Sequence, residues 1–250
     1  MKFKRWGLIL AGVGAFMAAQ PAGAVITYDT DVTPDVIFGT GNPNGGWAID
    51  QNINEDVRVE VGLRAKQRFG AVLGSTNGVY SATTGISSGT AATWNYEFAV
   101  NTDYTGTSGL FLGDVTTLIS IDTDPSVGVN FVTFDIFAFT DNAVGDNSTP
   151  NGGGIETNDP LVFGNFNVAQ NSQNLGFGDP PFFDANADAT YDFALEAFDA
   201  FNNDSLARIT IQVVVGKGGA TAIPEPASAL LFGVGLIGLA GLRRRRSKRA

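Results

Sequence analysis

The chain has 250 residues, no Cys, no His and a formal net charge of −10. These absences exclude disulfide staples, a Ser-His-Asp triad, a Cys nucleophile and zinc sites built from His or Cys, and the length suits one sandwich-sized domain or two small ones. The charge is segregated: of 15 basic residues, three open the chain and six close it, leaving six between the ends against 24 of the 25 acids, a formal −18 that repels nucleic acid and anionic head groups and suits cations.

At the N-terminus, Lys2, Lys4 and Arg5 precede an apolar run from Gly7 to Ala19, a helix-breaking Pro21 and the small residues Ala22, Gly23 and Ala24. Basic region, apolar region and small-residue site, in that order, make a secretory signal helix. Signal peptidase is expected to cut after Ala24, reading Ala22 and Ala24. The run is shorter than the ~20 residues that a membrane span prefers.

The body, 25–215, reads as β structure. Turn formers abound, with 32 Gly, and 19 Phe accompany a low charged fraction of 16%. Alternation with period two puts Val57, Val59, Val61 and Leu63 on one face, and does the same for Trp94, Tyr96, Phe98 and Val100. Val129 to Thr140 is β-branched and aromatic nearly throughout, as a central strand would be. Tyr191, Phe193 and Leu195 share a face, and Leu206 to Val215 reads as the last strand with Ile209, Ile211, Val213 and Val215 inward. Turn clusters stand at Gly41–Gly46 and Pro150–Gly154. No fixed repeat of 20 to 50 residues is present, which argues against a solenoid or propeller. The expectation is an all-β fold, an antiparallel β-sandwich of jelly-roll or immunoglobulin-like kind.

One acidic stretch stands out in the body. Asp184, Asn186, Asp188 and Asp192 place side-chain oxygens at the spacing of an EF-hand's first half, the pattern of a Ca²⁺ ligand set. Ala189 occupies the position that needs Gly, and Leu195 that of the bidentate Glu, so the alternatives are a looser Ca²⁺ loop or an Asx-rich turn with solvated acids. Asp122-Thr123-Asp124-Pro125 reads as the turn that ends a strand. Carboxylate pairs can hydrolyse glycosides, but nothing in the sequence sets two at the required separation; no catalytic residue and no enzyme is expected. Exposure of Trp47, Trp94 and Tyr104 on one face would favour sugar stacking, and their burial a structural role.

The C-terminal end is the most specific part. A segment flexible by composition, 216–223, leads to Pro224, Glu225 and Pro226. An uncharged run from Ala227 to Leu242 follows, about 24 Å long as a helix and so a short transmembrane helix. The basic cluster Arg243, Arg244, Arg245 and Arg246 then stays cytoplasmic by the positive-inside rule. The Gly233-Val234-Gly235-Leu236-Ile237-Gly238 stretch lacks the preceding strand and the distal acid of a dinucleotide site.

This order over residues 224–250 resembles the PEP-CTERM sorting signal. Ile121–Ser126, Trp94-Asn95 and Thr190–Phe193 also resemble stretches in other exported proteins of that sorting class. The resemblance implies an exosortase as processing partner and an inner-membrane intermediate. It further implies a final place on the cell surface or in the extracellular matrix of a Gram-negative bacterium that makes exopolysaccharide. The expected role is a non-enzymatic surface or matrix protein associated with exopolysaccharide or biofilm; the alternative is a Ca²⁺-dependent carbohydrate-binding module.

Overall fold

The computed structural model describes residues 24–54, 56–177 and 183–220. The expected signal helix with Ala22, the Pro224-Glu225-Pro226 element, the 227–242 helix and the arginine cluster lie outside these residues. Among the described residues no helix is long and apolar enough to cross a membrane.

The regular structure of the described residues is almost entirely strand. In order come β1 (Ala24–Thr30), β2 (Trp47–Asn52), β3 (Glu60–Gln67), β4 (Ser75–Thr76), β5 (Val79–Ala82), β6 (Ile86–Ser88), β7 (Ala91–Ala92) and β8 (Trp94–Asn101). Then follow β9 (Val115–Asp122), β10 (Phe131–Asp135), β11 (Asn142–Gly145), β12 (Ile155–Thr157), the one-turn helix α1 (Pro160–Phe163), β13 (Val168–Gln173), β14 (Ala189–Asp199) and β15 (Ser205–Val215).

Two sheets share one core. The seven-stranded sheet has the order β1-β2-β3-β8-β13-β11-β12, and the six-stranded sheet the order β10-β9-β14-β15-β5-β4. Pairing is antiparallel in both, as expected, except between β15 and β5, which run parallel. No hairpin joins those two strands, so nothing in the connection imposes an antiparallel direction.

The alternating positions meet between the sheets. Val59, Val61, Leu63, Trp94, Tyr96, Phe98 and Val100 face Tyr191, Phe193, Leu195, Ile209, Ile211, Val213 and Val215 in one buried cluster. Tyr96 stacks on Phe193 with ring centroids 4.7 Å apart, and Trp94 meets Phe193 edge-on at 6.3 Å. Such contacts add to the area buried by each ring.

Two expectations are corrected. The 129–140 segment is not a central strand. Only Phe131–Asp135 is strand, and it pairs with β9 alone at the sheet edge. A 3₁₀ turn, Ile136–Ala138, follows, capped by the Asp135 carboxylate accepting from the Phe137 N–H. The continuous apolar run arises because Phe134 packs on the core from the strand while Ile136, Phe137 and Phe139 do so from the turn and its end, not because both strand faces are covered. The Gly41–Gly46 cluster is likewise more than a turn. It ends a strap, residues 31–46, that lies across the outer face of the seven-stranded sheet. Val32 and Val36 pack there on Trp47, Ile49 and Ala99, and Ile37 packs on Ala143 and Val168.

This strap buries the face that alternation would leave in water. Glu60 Oε1 accepts the Thr33 N–H (2.7 Å), and the Gln170 side chain accepts from Ile37 N–H (2.8 Å) and donates to Asp35 O. Arg64 donates to Pro43 O and Gly45 O, pairs with Glu97 at 2.6 Å and lies 4.3 Å over the Trp47 ring. Lys66 donates to Asn42 Oδ1. Each charged group beneath the strap thus has hydrogen-bond partners, as burial demands, with Arg64 Nη2 and Trp47 Nε1 the buried polar atoms there that have none.

A second polar seam lies between the sheets. β5 pairs with β15 only from Gln212 onward. Along the first half of β15, the Asp50 carboxylate accepts the Arg208 N–H and Asn52 donates to Leu206 O. Side chains of β2 thus complete the edge that a strand would otherwise fill.

Candidate functional site

The acidic stretch splits in the fold. Asp184 accepts from the Asn186 N–H in an Asx turn, Asp188 accepts from the Lys217 N–H, and Asp192, on β14, accepts from the Gln212 amide. Among the described residues no three acidic side chains gather as metal ligands would. Asp192 has Asp122 for its acidic neighbour: burial, then the Asp122 charge, pushes its carboxyl above the ordinary range. Asp122 is fully buried at the end of β9, where its Oδ1 accepts from the Asp124 and Asn130 N–H groups, fixing the expected turn. Burial raises it too, against those two hydrogen bonds.

A concave site lies elsewhere. A cleft of about 300 Å³ is lined by Asp103, Leu110, Phe111, Asp146, Asn147 and Asn167, among others. Sequence reasoning missed it; the signal was there in the Asp-then-Thr/Ser/Gly runs that follow Asp103 and Asp146, which are Asx- and ST-turn formers. Asp103 receives the Thr107, Ser108 and Gly109 N–H groups at 2.8 to 2.9 Å. Burial alone would raise its carboxyl, but these donors outweigh it and hold it below the usual value. Asp146 is held low by the Ser148 hydroxyl and N–H. Asn147 donates to Asp103 O and accepts from Asn101 and Asn167, and Asn167 also donates to Asn101.

The chemistry of this cleft follows from its bonding. Its two carboxylates are both ionised at neutral pH, and their hydrogen bonds hold the cleft's own turns. A general acid needs a raised pKa. The acids that burial raises, Asp50, Glu60, Asp122, Asp135 and Asp192, do not line the cleft.

Trp47 and Trp94 are buried, and Tyr104 is half-buried. The exposed rings among the described residues are Tyr28, Phe69, Phe111, Phe177 and Phe201, which the sequence did not single out. Of the six cations between the ends, Arg64, Lys66 and Arg208 are buried, Arg58 and Arg68 half-buried, and only Lys217 is exposed. The outer surface is thus still more one-signed than the sequence count implies.

No curated protein and no solved structure matches the chain. One match falls on the C-terminus, where residues 222–246 fit the PEP-CTERM protein-sorting motif. It covers Pro224, Glu225, Pro226, the apolar run and the four arginines, the set that the sequence reading had marked. On these residues the chain carries the PEP-CTERM sorting motif, the mark of an exported protein that is sorted by way of the membrane and processed by an exosortase.

Proposed function

We propose that this is a non-enzymatic surface or matrix protein of a Gram-negative bacterium, delivered by the exosortase route and associated with exopolysaccharide. The observation that carries the reading is the sorting motif at 222–246. Two features of the body support it. The cleft's polar groups are occupied by internal hydrogen bonds, leaving no acid–base pair poised there, and Trp47 and Trp94 serve the interior and do not form a platform. An acidic exterior keeps such a protein soluble, and it joins an acidic polysaccharide only through cations.

In this reading the tail works in series. Signal peptidase frees the N-terminus, the 227–242 segment holds the chain in the membrane, and Arg243 to Arg246 resist translocation. Pro224 and Pro226 keep the segment before the helix extended for the protease. Replacing Pro224-Glu225-Pro226 with alanines is expected to leave export intact and keep the product in the membrane fraction, heavier by the tail. Processing like wild type would overturn the sorting assignment. For the body, glycan arrays and calorimetry on the exported protein, with and without millimolar Ca²⁺, decide the role. Weak, cation-dependent retention by bulk polysaccharide is expected. Tight Ca²⁺-dependent binding of one oligosaccharide, abolished by Asp188→Ala, would instead establish the carbohydrate-binding module.

A further inference from the structure

The glycine-rich stretch after β15 has the composition of a linker, but its first five residues are a docked part of the body. Gly216 N–H donates to Ala82 O (2.9 Å), and Gly218 N–H donates back to Val215 O (3.0 Å). Lys217 N–H reaches Asp188 Oδ1 (3.1 Å), and Gly219 N–H reaches Thr190 Oγ1 (2.9 Å). Val127 N–H donates to Ala220 O, and Thr190 N–H to Pro125 O, so the β9–β10 turn and the start of β14 grip the tail together.

The glycines are there for packing. Gly216 and Gly218 have φ of +62° and +82°, which L side chains rarely adopt. A Cβ on Gly219 would lie 2.3 Å from Pro125 O and 2.6 Å from the Ser126 carbonyl carbon. A free linker has no such requirement.

The consequence is one of reach. Between Ala220 and Pro224 stand only Thr221, Ala222 and Ile223. Four links extend at most about 14 Å. A protease that takes up an extended segment around Pro224-Glu225-Pro226 needs several residues on the N-terminal side as well. Those residues are the ones held against Pro125, Ser126 and Thr190.

We propose that residues 216–220 are a latch by which the folded body limits access to its own sorting motif. Exosortase then acts on the fraction of molecules in which Gly218–Ala220 have peeled away from the 125–127 turn. This inference rests on the sorting reading above and adds its regulation.

The test uses the full chain in cells that carry the exosortase, with the rate of tail removal followed by pulse-chase. Inserting ten Gly/Ser residues between Ala220 and Thr221 leaves the latch in place and lengthens the reach; tail removal is expected to speed up. Thr190→Val removes the acceptor for Gly219 N–H while keeping shape and volume. It should raise the rate about fivefold, the shift in opening equilibrium that one lost hydrogen bond implies. Hydrogen exchange at Gly219 in the Thr190→Val protein should quicken in parallel, a readout independent of the protease. Combined with the insertion, Thr190→Val should add nothing further. Unchanged rates in both single variants, or a Gly219 amide that exchanges freely in the wild type, would overturn the latch. Failure of the sorting reading is separate: there, the alanine replacement of Pro224-Glu225-Pro226 is processed like wild type.

Discussion

The two faces of the seven-stranded sheet are both buried, by opposite means. On the inner face β3 and β8 present Val61, Leu63, Trp94, Tyr96, Phe98 and Val100 to the other sheet, with Val59 just ahead of β3. On the outer face the same strands present Glu60, Arg64, Lys66, Glu97 and Asn101 to the strap, and all five are buried. The inner face is held by area removed from water, roughly 25 cal/mol per Å². The outer face is held by matched donors and acceptors, each modest in net value and costly to leave unmatched. Alternating charge and apolarity along a strand thus marks which side meets the hydrophobic core, and not which side meets solvent.

The largest expected effect breaks the inner face. Phe193 is fully buried and contacts both Trp94 and Tyr96. Phe193→Ala is expected to destabilise the fold by about 4 kcal/mol, measured by denaturant unfolding of the exported protein. A cost near 1 kcal/mol would mean that the two sheets do not depend on this stack.

The next effect breaks the outer face. Glu97→Ala leaves the Arg64 guanidinium buried beside Trp47 without its carboxylate and strips Ser172 of its acceptor. A loss of about 3 kcal/mol is expected. The double variant Arg64→Met/Glu97→Leu should cost less than Glu97→Ala alone, since no charge is then stranded. If it costs more, the pair stabilises the strap beyond satisfying itself, and the distinction between the faces narrows.

The smallest effect is a pH dependence that the inner seam and the strap share. Burial raises Asp50 in the seam and Glu60 under the strap, and also Asp122, Asp135 and Asp192, above their ordinary values of 3.8 for Asp and 4.5 for Glu. The folded state then holds protons that the unfolded chain has released, so stability falls as pH rises through the window just above those values. Asp103 and Asp146, held low by hydrogen bonds, act the other way: their contribution is present above 3.8 and is lost as pH falls through their depressed values. Since Asp50, Glu60 and Asp122 are buried outright, Tm is expected to be higher in mild acid than at pH 8. A Tm that climbs steadily from pH 5 to pH 8 would contradict this balance.

Much of this architecture was legible because one physical signal dominates it. A strand half-buried against a core must alternate, and the positions picked out on β3, β8, β14 and β15 all lie in the main cluster. Asp122 to Pro125 was legible as a strand end for a local reason, since an Asx side chain turns its own backbone. The 129–140 segment misled because a single strand followed by a 3₁₀ turn can be as apolar as a strand covered on both faces. The spacing of Asp184, Asn186, Asp188 and Asp192 carried no information about direction: a loop and a strand send those side chains to different neighbours.

By itself the sequence determined the sorting motif at 222–246, the anionic body, and the β character with its inward residues. These depend on composition, on local order, or on a period of two, and none needs a distant partner. Only the tertiary structure decided that Glu60, Arg64, Lys66 and Glu97 are interior, that β15 is completed by Asp50 and Asn52, and that Gly216–Ala220 are held by Asp188, Thr190 and Val127. The physical reason is the same in each case. A polar group or a glycine takes its role from the group it meets, and here those groups lie 19 to 158 residues away along the chain.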